Sequence, residues 1–135
     1  MLNNKVTSTL EAVAAAVEPF ASARIAAALV YKNEIISIGY NQKKSHPFQR
    51  RFARRDECIF LHAETDAIKN ALKLYDTTII SKSTLYISRV KCISSVNRKL
   101  TLGLSMPCSG CQRAIAAFDI KTVIYSTDYN NYKLL

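Results

Sequence analysis

The sequence has little glycine and proline, and it is short of acidic residues. Only 3 of its 135 residues are Gly and 3 are Pro, whereas 49% are hydrophobic. This composition excludes a chain that is disordered, collagen-like or of low complexity throughout. The length predicts a single domain, residues 1–135, which is large enough to bury a core without disulfide bonds.

Long apolar runs are also missing. The uninterrupted apolar stretch near the N-terminus extends only from Ala12 to Val17, between two glutamates. A secretory signal needs about 7–15 apolar residues, and a membrane span needs about 20. We therefore expect no membrane association and a cytoplasmic protein, in which the four cysteines are metal ligands or buried thiols rather than disulfides.

Acidic residues number 10 against 19 Lys and Arg, which gives a formal net charge of +9. Such a surplus indicates an anionic partner: nucleotide phosphate, nucleic acid or an acidic surface. Much of it lies in a predicted basic loop, residues 41–60, and in a polar segment, residues 90–106. The candidates for phosphate or nucleic-acid contacts there are Lys43, Lys44, Arg50, Arg51, Arg54, Arg55, Arg98 and Lys99. A solvated loop without a ligand is the alternative.

Hydrophobic periodicity predicts alternating helices and strands. The predicted helices cover about residues 2–18, 62–74 and 108–118, and the predicted strands cover 24–31, 35–40, 84–90 and 121–126. The first two strands are separated by a short turn, which favours an antiparallel hairpin. A helix between the last two strands calls for a parallel pair, so the fold class is α/β with a mixed sheet. Residues 41–60 and 91–106 show no regular pattern.

Two short motifs, H-A-E at 62–64 and P-C-S-G-C at 107–111, each open a predicted helix. Cys108 and Cys111 fall on one face of a first helical turn. The positive end of that helix favours the thiolate form, which binds metal. With His62 as a third ligand, a tetrahedral zinc keeps one position open for water, as catalytic zinc sites do.

Other readings of the cysteines fit less well. A redox dithiol would leave His62 and Glu64 without a function. A closed structural zinc needs a fourth ligand, and Cys58 is the only nearby thiol; Cys58 and Cys92 are expected to be buried or loop residues. The pairing of H-x-E with P-C-x-x-C is the signature of zinc deaminases, in which the glutamate is the general acid and base rather than a ligand.

These motifs resemble those of the cytidine/deoxycytidylate deaminase superfamily. The strand sequence T-L-Y-I at 84–87 resembles the strand before the family's second motif, and G-Y-N at 39–41 is similar to its strand-ending G-x-N. The resemblance implies a three-layer α/β/α fold with four or five strands and a short C-terminal part. It also implies Zn²⁺ held by His62, Cys108 and Cys111, catalysis by Glu64, substrate contacts from Asn41 and Ala63, and a homo-oligomer.

Within the superfamily, H-A-E-T-D-A-I at 62–68 and the single C-x-x-C most resemble small phage-type deoxycytidylate deaminases. The resemblance implies a hydrolase that converts dCMP to dUMP and ammonia, in the host cytoplasm if a phage encodes it. Two alternatives stay open: a cytosine or adenine deaminase acting on single-stranded DNA or RNA, and a non-catalytic, zinc-stabilised binding module. Phe48, Phe52 and Phe60 in the basic loop suit base stacking and core anchoring equally well.

Overall fold

A computed structural model describes residues 2–17, 24–42, 46–52, 61–92 and 100–135. The helices are α1 (Asn4–Ala16), α2 (Pro47–Phe52), α3 (Ala63–Leu72), α4 (Thr77–Ser81) and α5 (Ser109–Ala117). The strands are β1 (Ile25–Tyr31), β2 (Glu34–Tyr40), β3 (Thr84–Cys92), β4 (Leu100–Gly103), β5 (Thr122–Ser126) and β6 (Tyr132–Leu134).

The strands form one mixed sheet in the order β2-β1-β3-β5-β6, with β4 also paired to β3. Strand β1 is antiparallel to both β2 and β3. Strands β3 and β5 are parallel, which confirms the pairing predicted from the helix between them. The sheet has six strands where four or five were expected, because β4 and the short β6 both join it.

Helices cover both faces of this sheet. Alternate residues of β1 and β3 point to opposite faces, as the two-residue period of a strand requires. One face packs against α1, and its core includes Leu10, Ala14, Ala26, Ala28 and Tyr86. The other packs against α3 and α5, and its core includes Ala27, Leu29, Ala67, Ile87 and Ala114. The three-layer α/β/α architecture is therefore confirmed, and burial on both faces explains the nearly continuous apolar sequence of β1.

The segment predicted to be irregular over 91–106 contains regular structure. Strand β3 continues to Cys92, and Leu100–Gly103 returns antiparallel to it, with Cys92 opposite Leu100 and Arg89 opposite Gly103. The described part of this segment therefore extends the sheet and leads the chain directly towards Pro107. The alternation of Leu100, Thr101 and Leu102 is the sequence signal for β4, but it is short.

The predicted basic loop also contains a helix, α2. Its Phe48 and Phe52 lie one turn apart, and their ring centroids are 5.4 Å from each other. Phe118, next to the end of α5, packs 5.8 Å from Phe48 and 6.3 Å from Phe52. These two phenylalanines anchor α2 to the core and are not available for base stacking; Phe60 lies outside the described residues.

Helix α4 is a further element that the hydrophobic pattern does not predict. Asp76 caps it, because its Oδ1 accepts a hydrogen bond from the backbone N–H of Ile79 at 3.1 Å. Within the described parts of the chain, no helix has the length and apolar character needed to cross a membrane.

Candidate metal centre and active site

The starts of α3 and α5 bring three metal-binding side chains together. His62 precedes α3 and Cys108 precedes α5, both with extended backbone as N-cap residues. The Nδ1 atom of His62 lies 3.2 Å from Sγ of Cys111 and 3.5 Å from Sγ of Cys108, although 46 residues separate His62 from Cys108. The three possible ligand atoms all lie within 4.8 Å of one another.

The first turn of α5 favours the thiolate form of Cys108, which is the form that binds metal. Sγ of Cys108 accepts a hydrogen bond from the backbone N–H of Cys111 at 3.5 Å. The Cys111 side chain, His62 and this backbone N–H together lower the pKa of the Cys108 thiol to about 3. The pKa of Cys111 is raised by its hydrogen bond to Cys108 and by burial. The lowered pKa of Cys108 agrees in direction with the thiolate form that the start of a helix favours.

The donor set fits zinc. Two sulfurs and one imidazole nitrogen are donors that Zn²⁺ prefers, and three protein ligands leave the fourth tetrahedral position for water or substrate. Among the residues that the structure describes, no fourth Cys, His, Asp or Glu joins this group. The three donors that the structure describes form an open, catalytic type of site, and Cys58, the candidate fourth ligand of a closed one, lies outside the described residues.

Glu64 lies in the first turn of α3 and is only 6% exposed. Its side chain hydrogen-bonds to Cys111, so the carboxyl group borders the cluster without belonging to the ligand group. Burial raises the pKa of this carboxyl, while the nearby charge of His62 opposes the shift. A buried carboxyl whose pKa is raised is suited to receiving and returning a proton.

Comparison with known families decides the assignment. The family model of the cytidine and deoxycytidylate deaminase zinc-binding region matches residues 3–127. The chain belongs to this deaminase family. No curated protein sequence matches it. The match confirms the superfamily resemblance and zinc as the cofactor of the domain, with His62, Cys108 and Cys111 as its candidate site.

Asn41 of this deaminase lies at the end of β2, on the same side of the molecule as His62. Its Oδ1 accepts a hydrogen bond from the Ile25 N–H at 2.9 Å, and its own N–H donates to the Ile25 carbonyl at 3.2 Å. The next residue, Gln42, donates its N–H to the carbonyl of Leu61 at 3.0 Å. These bonds fix Asn41 close to the start of α3, and its contact with substrate remains a prediction.

Ala63, the other predicted substrate contact, is the first residue of α3 and is buried. A Cβ atom built on Gly39 of β2 would lie only 2.6 Å from the Ala63 carbonyl oxygen. The start of α3 thus rests directly on the backbone of β2. The side chain of Ala63 belongs to the core on this face of the sheet, and a substrate contact from this residue also remains a prediction.

Asp66 is a buried residue of the site region that the motif analysis does not single out. Its Oδ2 accepts hydrogen bonds from the Tyr40 N–H at 3.1 Å and from Nε2 of Gln42 at 2.9 Å. Its Oδ1 lies 3.3 Å from Nζ of Lys69. Asp66 therefore ties both sides of Asn41 to α3. The sequence signal is an acidic residue two positions after Glu64 in the first turn of a helix.

The predicted phosphate contacts are only partly covered by the structure. Arg50 and Arg51 are exposed on α2, and the guanidinium carbon of Arg51 lies 5.3 Å from the centroid of the Phe52 ring. The remaining candidates lie outside the described residues, as does Cys58: Lys43, Lys44, Arg54, Arg55, Arg98 and Lys99. Their contacts with phosphate or nucleic acid remain predictions.

Proposed function

We propose that this protein hydrolytically deaminates a free cytosine nucleotide, converting dCMP to dUMP and ammonia. The observation that carries the proposal is the buried carboxyl of Glu64 beside an open three-donor zinc site. A binding module stabilised by zinc needs neither the open position nor a buried acid. A closed site with four protein ligands would instead favour that non-catalytic alternative.

Zinc held by His62, Cys108 and Cys111 would supply water activated for attack at neutral pH. Glu64 takes the proton of the attacking water and delivers it to the ring nitrogen next to C4. A C–O bond forms at C4 and the bond to the exocyclic nitrogen breaks. Glu64 then takes the remaining proton from the new hydroxyl group on C4 and transfers it to the departing amino group. Ammonia leaves, the C4 carbonyl forms, and the base is now uracil. The raised pKa of Glu64 supports this role, because the same group must hold and release the proton within one turnover.

Two observations support a free nucleotide as the substrate. The H-A-E-T-D-A-I sequence at 62–68 resembles that of deoxycytidylate deaminases, and a single 5′-phosphate needs only a few basic side chains to bind it. Arg50 and Arg51 are exposed on α2, and the preceding residue of the same helix, Gln49, contacts the start of α3. This position is suitable for holding a 5′-phosphate near the site. We expect the reaction to take place in the cytoplasm, in keeping with the free thiols of Cys108 and Cys111. We also expect a homo-oligomer, as is common among deaminases of this type.

A substrate panel tests this proposal. Zinc-loaded protein is incubated with dCMP, CMP, deoxycytidine, adenine nucleotides and short oligonucleotides, and deamination is followed by the one-dalton mass change and ammonia release. We expect turnover of dCMP to exceed that of every other substrate. Absence of product from dCMP, CMP and deoxycytidine would contradict the proposal.

A nucleic-acid deaminase is the second candidate, favoured by the net charge of +9 and the exposed arginines of α2. Each phosphate contact releases counterions, so activity on an oligonucleotide would fall steeply as salt rises. The double substitution Arg50→Glu, Arg51→Glu would flatten this dependence. The matched control is Lys121→Glu, which changes an exposed cation that follows α5 at its far end. A preference for mononucleotides over oligonucleotides that does not change with salt would exclude this candidate.

A further inference from the structure

Gln49 connects α2 to the metal-binding histidine. Its side chain is fully buried, although glutamine is a polar residue. Its Oε1 accepts a hydrogen bond from the backbone N–H of His62 at 3.1 Å and a second one from the hydroxyl of Thr65. One carboxamide oxygen therefore contacts both the N-cap residue and the first turn of α3.

His62 needs such a partner because of its position. An N-cap residue ordinarily uses its own side chain to accept a hydrogen bond from the first turn of the helix. The side chain of His62 makes no such bond, and its ring points to the two sulfurs instead. The N–H of His62 is consequently held from outside the helix, by Gln49 at 3.1 Å. Its carbonyl accepts a hydrogen bond from within α3, from the N–H of Asp66 at 2.9 Å.

Helix α2 packs against α5, the helix that carries Cys111. Phe48 and Phe52 pack against Phe118, which follows α5. Arg113 of α5, two residues after Cys111, donates a hydrogen bond to the carbonyl of Phe52. Gln49 therefore projects towards His62 from a support that also contacts the helix carrying Cys111.

From these contacts we propose that Gln49 is a positioning residue for the zinc site. Its oxygen holds the His62 backbone in the orientation from which Nδ1 faces Cys108 and Cys111. Partners that orient metal ligands typically change metal affinity or activity by about 10- to 100-fold when they are removed. The inference rests on zinc binding by these three residues, and it does not depend on which substrate the enzyme takes.

The test compares three variants by zinc affinity, measured in competition with a chromogenic chelator. Gln49→Met keeps the volume and removes the acceptor, so zinc affinity is expected to fall about tenfold or more. Gln49→Glu keeps an acceptor oxygen and is expected to stay close to the unmodified protein. Ser37→Ala is the matched control: it removes a hydrogen bond from β2 to the Ala67 carbonyl of α3, at 2.9 Å, and leaves the contact between Gln49 and His62 in place. It should bind zinc nearly as well as the unmodified protein.

The unfolding midpoint of each metal-free variant is measured in parallel, so that loss of stability is separated from loss of affinity. Unchanged zinc affinity in Gln49→Met would overturn the proposal, and so would an equal loss in Ser37→Ala, since that result would indicate general packing against α3. If Gln49→Met does not fold, Gln49→Asn takes its place. Its side chain is shorter by one methylene, so the oxygen is drawn back from the His62 N–H. Unchanged zinc affinity in this variant would equally overturn the proposal. Because no turnover is measured, a failure of the proposed deamination would not affect the result.

Discussion

Glu64→Gln is expected to lower the turnover number by about 10³-fold, within the range of roughly 10²- to 10⁴-fold that general acid–base catalysis contributes. The amide has nearly the volume of the carboxyl it replaces, so the buried position beside Cys111 stays filled. It can neither take the proton of water nor return it to the leaving group. Steady-state kinetics on the preferred substrate, with zinc content measured for the same sample, checks this result.

Zinc stoichiometry should stay close to that of the unmodified protein, because Glu64 is not among the three ligand residues. Glu11→Gln is a matched control on α1, on the opposite face of the sheet, where the carboxylate accepts a hydrogen bond from Tyr132 at 2.8 Å. It should leave turnover unchanged. A Glu64→Gln enzyme that keeps most of its turnover, with zinc bound, would contradict the assignment of Glu64 as the proton carrier.

Gly39→Ala is expected to lower the free energy of unfolding by about 3 kcal/mol, the upper end of the usual range for overpacked positions. The added Cβ would lie 2.3 Å from the Ala67 nitrogen, 2.6 Å from the Ala63 oxygen and 2.7 Å from the Asp66 carbonyl carbon. All three are backbone atoms of α3, so relief requires that the helix move away from β2. Since the same turn carries Glu64, we also expect weaker catalysis in the folded fraction.

The matched control for this substitution is Gly103→Ala. The three atoms nearest to a Cβ atom there all belong to the side chain of Arg89, with Cδ at 3.1 Å, and a flexible side chain can shift. The expected change is within about 1 kcal/mol, close to that of ordinary surface substitutions. Urea unfolding of both variants, read by circular dichroism, measures the difference. Equal destabilisation by the two substitutions would show that close packing of β2 against α3 is not the cause.

The elements that could be predicted from the sequence are those with a clear local pattern. The hairpin of β1 and β2, the long apolar helix α1 and helix α3 all have periodic or uninterrupted apolar residues of sufficient length. Helix α2 and strand β4 do not. A helix as short as Pro47–Phe52 is marginal by itself, and its stability comes from the packing of Phe48 and Phe52 on Phe118. Strand β4 likewise depends on its pairing with β3.

The sequence by itself determined the chemistry of this deaminase. Local spacing places Cys108 and Cys111 in one turn at the positive end of a helix, and the H-A-E motif places an acid two residues from a metal-binding histidine. These relations hold between residues that are close in the chain, so a sequence motif is enough to predict them.

Only the tertiary structure decided how these groups meet and what holds them. His62 reaches Cys108 across 46 residues because strand pairing and helix packing bring the starts of α3 and α5 together. The contacts of Gln49 with His62, of Asp66 with Tyr40, and of Gly39 with α3 join residues that the chain separates. Distant contacts of this kind arise from the way the helices pack on the sheet, and a motif of neighbouring residues does not specify that packing.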